Sequence, residues 1–96
     1  MSKPTVIIDA QGVNDVGDFW ERYLIAARPE GTDFFGRNLD AFWDAVEGGG
    51  PGYPGNVALH FVNMSALRKV RDGEAFLSAF AKIASDATMT SISWED

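Results

Sequence analysis

The chain has 96 residues, a net charge of −6, 46% hydrophobic residues and 12% aromatics. That length holds one modest core, and the apolar content is too high for a disordered chain. The charge disfavours nucleic acid as a direct partner, because phosphates would be repelled, and the lack of cysteine excludes disulfide staples and thiolate metal sites.

In chain order, Thr5 to Asp9 is a β-branched run with the look of a strand buried on both faces of a parallel sheet. Residues 14–28 read as a helix capped by Asn14 or Asp15, with Val16, Phe19, Trp20, Tyr23, Leu24 and Ala27 as its apolar stripe. Arg28-Pro29-Glu30-Gly31 stops it, and a loop and second helix run from about Asp33 to Glu47. The glycine-rich stretch 48–56 reads as a flexible loop, and Val57 to Val62 as a second strand. A helical turn around Ser65–Lys69 precedes a helix from Asp72 or Gly73 to Asp86, and Thr88 to Trp94 reads as a third strand. Parallel strands need crossover connections, so this order predicts an α/β fold. The expected architecture is one domain over residues 1–96, with a three-stranded parallel sheet packed by three to four helices. Met1-Ser2-Lys3-Pro4 and the residues after it lack a signal-peptide core, and no apolar run reaches membrane length; a cytoplasmic protein is expected.

The second helix concentrates the charge. Asn38 is a suitable N-cap, and Leu39, Phe42, Trp43 and Val46 form its apolar stripe. Asp40, Asp44 and Glu47 follow the same spacing on a second stripe, within an arc of roughly 60°. Stacked acids repel, so a helix under no other demand would more often interleave Lys or Arg. Residues 30–47 hold five acids against Arg37 alone, whereas Arg68, Lys69 and Arg71 form a basic stretch elsewhere. An acidic pole of this kind suits a basic protein partner. Trp43, at the edge nearest the acids, can serve the core, an interface, or both.

Other chemistry is thinly supported. His60 is the only histidine, with no cysteine or second histidine to build a nucleophilic relay or zinc site. The Gly48–Gly55 loop lacks the Gly-Lys-Ser/Thr ending of a phosphate cradle. Asp40 and Asp44 are too few ligands for a hard cation, and two acids on a convex helix do not enclose a substrate as hydrolytic carboxylates do. No metal, no cofactor and no enzyme activity are expected.

The run Phe34-Phe35-Gly36-Arg37-Asn38-Leu39-Asp40-Ala41-Phe42-Trp43-Asp44 resembles the signature of the barstar family of small cytoplasmic ribonuclease inhibitors. The resemblance implies that Asp40 and Asp44 enter the nuclease active site, with Asp44 as a phosphate mimic accepting charge-assisted bonds from arginine. It also implies that Phe34 covers the catalytic histidine and that Gly36 and Asn38 are rim contacts. Trp43, Glu47 and Asp86 complete the expected partner-binding set. Three positions depart from the family pattern: Phe34 stands where Tyr is commonest, Lys82 replaces an acid, and Gly48-Gly49-Gly50 replaces an aromatic. The expected partner is a small basic secreted nuclease, bound 1:1, with no direct nucleic acid and no membrane. The alternative is a regulatory interaction module using the same acidic face on another basic protein.

Overall fold

The structure, a computed structural model, describes residues 3–96; Met1 and Ser2, included in the one-domain and leader readings, lie outside the described residues. Strands β1 (Thr5–Asp9), β2 (Ala58–Val62) and β3 (Ser91–Trp94) form a parallel sheet in the order β1-β2-β3. Helices α1 (Val16–Ala27) and α2 (Leu39–Gly48) lie between β1 and β2, and α3 (Gly73–Asp86) lies between β2 and β3. Short 3₁₀ turns occupy Thr32–Phe34 and Met64–Lys69.

The sheet is covered on one side. Val6, Ile8, Leu59, Phe61, Ile92 and Trp94 point into the core, while Thr5, Ile7, Asp9, Ser91 and Ser93 are exposed. The expectation that β1 is buried on both faces is therefore corrected: β1 is an edge strand, and Ile7 is 52% exposed. All three helices pack on the opposite side, so β-branching at β1 serves strand propensity as much as burial. His60 sits on the open face, its ring within 2.6 Å of Ser93 Oγ and 3.2 Å of Glu95 Oε2.

The strand starts also shift inward for local reasons. Val57 donates its N–H to Gly55 O at 2.9 Å, so β2 begins one residue later than expected. Residues 88–90, expected in β3, are instead drawn to α2. Thr90 Oγ1 donates to Val46 O at 2.8 Å, and the Thr88 and Met89 N–H groups bind Glu47.

The core is an aromatic cluster. Phe19 lies 5.1 Å from Trp20, 5.3 Å from Phe76 and 5.7 Å from Phe61, centroid to centroid. Phe80 joins it 4.9 Å from Phe61, and Phe42 stands 6.0 Å from Phe80. Phe42, Ala45 and Val46 are fully buried, and they fix the rotation of α2 about its own axis. At 100° per residue, Asp40 and Asp44 lie roughly 160–200° from Phe42, on the far side of the helix.

The loop 48–56, expected to be flexible, is stitched down. Tyr23 Oη donates to Gly52 O at 2.7 Å, and Gly52 N–H donates to Glu30 O at 3.0 Å. Gly52 has φ +92°, and a β-carbon there would meet the Phe35 ring at 2.5 Å, so only glycine fits. Its backbone closes over Phe35, which is why a run of glycine and proline becomes part of the core wall.

Candidate partner-binding face on the acidic helix

The face begins with the turn before α2. Phe34 N–H donates to Gly31 O at 2.9 Å and Phe35 N–H to Thr32 O at 3.2 Å, and this tight turn sends the two rings in opposite directions. Phe35 is 5% exposed against Trp20 and Tyr23, whereas Phe34 is 81% exposed. A phenyl ring standing that free of its own chain gains little from folding.

Asn38 is the N-cap. Its Oδ1 accepts from Ala41 N–H at 2.7 Å, and its Nδ2 donates to Gly36 O at 3.1 Å. Asn38 and Gly36, both expected as rim contacts, are thus one hydrogen-bonded unit that sets where the helix starts. Arg37, at φ +53°, turns its guanidinium to Glu21 of α1. The one base of the motif is thereby engaged by a neighbouring helix and leaves the acidic stripe alone.

The three acids of that stripe stand in three different situations. Asp40 is exposed in the first turn, where the helix N-terminus favours a negative charge. Asp44 is exposed in mid-helix, and its carboxylate rests over the following glycines. Among the described residues neither side chain has an ion-pair or hydrogen-bond partner. Glu47 is different: its carboxylate accepts from Thr88 Oγ1 at 2.6 Å, Thr88 N–H at 2.8 Å and Met89 N–H at 2.9 Å. The Thr88 hydroxyl first, then the Met89 and Thr88 N–H groups, hold its carboxyl below the usual glutamate range. The expectation that Glu47 joins the partner-binding set meets a carboxylate whose hydrogen bonds are already supplied by its own chain.

Trp43 is 38% exposed. With Leu39, Asp40, Lys82, Ile83 and Asp86 it lines a groove of about 400 Å³ between α2 and α3. Lys82 Nζ donates to Asp86 Oδ2 at 2.9 Å, so Asp86 enters the groove as half of an ion pair. The groove thus brings Asp40, Trp43 and Asp86 together. Sequence reasoning misses Thr88 and Met89, because a bond from position 47 to position 88 leaves no local signature.

Among the described residues no group of three or more His, Cys, Asp or Glu side chains is arranged to hold a metal ion, and no helix is long and apolar enough to cross a membrane. The fold is a small α/β domain, and this face carries an 81% exposed phenyl ring and two acids that have no partner among the described residues. A family model described as Barstar (barnase inhibitor) matches residues 3–93, nearly the whole chain, and the protein belongs to that family. Its members are ribonuclease inhibitors rather than enzymes. A search of curated proteins gives no match.

Proposed function

We propose that this protein inhibits a small basic microbial ribonuclease by occupying its active site with the exposed face of α2. Asp44 is the central plug, standing where a substrate phosphate oxygen would bind, and Asp40 flanks it. Phe34 covers the catalytic centre from the preceding turn, while Asn38 and Gly36 hold the rim in shape. Trp43 lines the groove beside Asp40, and the Lys82–Asp86 pair forms its far wall. The complex is 1:1, and the protein acts in the cytoplasm as an immunity factor without catalysing a reaction itself.

The observation that carries this reading is the contrast in charge pairing. Asp18 and Glu21 on α1 and Glu74 and Asp86 on α3 each have a basic partner, whereas Asp40 and Asp44 on α2 have none. Unpaired carboxylates held on a helix suit bidentate bonds from a partner's arginine, and they steer a basic protein toward the face. Barnase and barstar are themselves the reference pair for such steering and for large charge hot spots.

Inhibition of barnase, titrated with wild-type protein and with Asp44→Ala, tests the proposal. Wild type should inhibit with an association rate that falls steeply with added salt, and Asp44→Ala should lose most of that inhibition while keeping its fold. Equal inhibition by the two proteins would remove Asp44 as the plug. Binding to a basic protein other than a nuclease, with no effect on ribonuclease, would favour a regulatory module instead.

A further inference from the structure

The glycines that follow α2 are shaped around Asp44. A β-carbon on Gly50 would fall well inside contact distance of Asp44 Oδ2 and 2.9 Å from its Cγ, and its three nearest neighbours are all Asp44 atoms. One on Gly48 would sit 3.0 Å from Asp44 Oδ1. Gly49 and Gly52 have positive φ, but Gly50 does not, so left-handed backbone is not what sets glycine there. What a side chain at position 50 would displace is the carboxylate of Asp44.

The loop cannot simply step aside. Gly49 and Gly50 both donate N–H groups to the main-chain oxygen of Asp44, the latter at 3.2 Å. Two residues on, Gly52 is held by Tyr23 and Glu30, and Tyr53 N–H donates to Gly50 O at 3.1 Å. The soft element at the contact is the Asp44 side chain, which has no bond of its own to lose.

We infer that Gly50 is a positioning residue for Asp44. It supplies the space in which the carboxylate lies, and with Gly48 it leaves both carboxylate oxygens free of flanking side chains, so that a planar cation can approach them together. The role in binding rests on the proposed function; the control of the side chain does not.

Gly50→Ala tests this in two ways. In the free protein, three-bond couplings measured by NMR should show a changed χ1 rotamer at Asp44 and an unchanged one at Asp40, with the melting temperature held. Against barnase, Gly50→Ala should weaken inhibition about tenfold or more, and the same substitution in an Asp44→Ala background should change it little. An unchanged Asp44 rotamer overturns the inference whatever the nuclease does. A changed rotamer with full inhibition overturns the positioning role, provided Asp44→Ala is itself impaired. If Asp44→Ala inhibits like wild type, or wild type does not inhibit barnase, the functional reading fails for that enzyme and the rotamer alone decides the inference.

Discussion

The acids of α1 and α3 differ from those of α2 in what they face. On the outer helices Asp18 lies 3.9 Å from Arg22, Glu21 meets Arg37, Glu74 lies 3.7 Å from Arg68, and Asp86 lies 2.9 Å from Lys82. Among the described residues no acid of α2 has a cationic partner, and the only one with hydrogen-bond partners, Glu47, is served by N–H and hydroxyl groups. Exposed pairs are each worth little, about 0–1 kcal/mol, so the difference is not chiefly one of stability. It separates charges neutralised within the molecule from charges left open to solvent.

That separation can be broken by mutation. The largest effect is expected from Asp44→Ala, which should cost several kcal/mol in nuclease binding by calorimetry while leaving the melting temperature nearly unchanged. Phe42→Ala should cost about 3–5 kcal/mol in denaturant unfolding, because it empties the site that fixes the rotation of α2. Tyr23→Phe should cost about 1–3 kcal/mol, since Gly52 O is left without its buried donor. Asp18→Ala should invert the pattern of Asp44→Ala on a small scale, leaving binding intact and costing about 1 kcal/mol of stability, because the Asn14 N–H at the start of α1 loses its acceptor.

The smallest expected effect concerns pH. Glu47 is held below its ordinary value, so its contribution is present above about pH 4.3 and lost as pH falls through the folded value. Asp9 titrates with the same sign, its carboxyl lowered first by the Asn63 amide and then by Gln11 N–H. Wild type should therefore melt slightly above Glu47→Gln at neutral pH, and the gap should close on acidification. A gap that widens in acid would show that Glu47 does not hold the 88–89 segment as its carboxylate.

Local physics makes most of the fold legible. The β-branched run of β1, the period of α1 and α3, the Asn38 cap and the Pro-Gly stop after α1 are all short-range signals, and the elements they mark are found, with β2 starting one residue and β3 three residues later than expected. The candidate site is legible to the extent that it lies on one helix: the spacing of residues 40, 44 and 47 places them on one side, opposite Phe42. What spacing does not convey is their separate surroundings. It groups Glu47 with its neighbours, although the hydrogen bonds of that carboxylate come from 41 and 42 residues away. Glycine signals freedom in the loop 48–56, whereas Gly52 lets the backbone close on Phe35 and Tyr23. The single-sided sheet escapes for a similar reason, since β-branching marks a strand but does not say which neighbours cover it.

Phe42 has a consequence beyond packing. Because it anchors α2 from the side opposite Asp40 and Asp44, folding and the proposed recognition draw on different residues of the same ten-residue helix. Descendants of this sequence can exchange surface acids while the anchor stays put, which makes the helix a retargetable blade on a constant hilt.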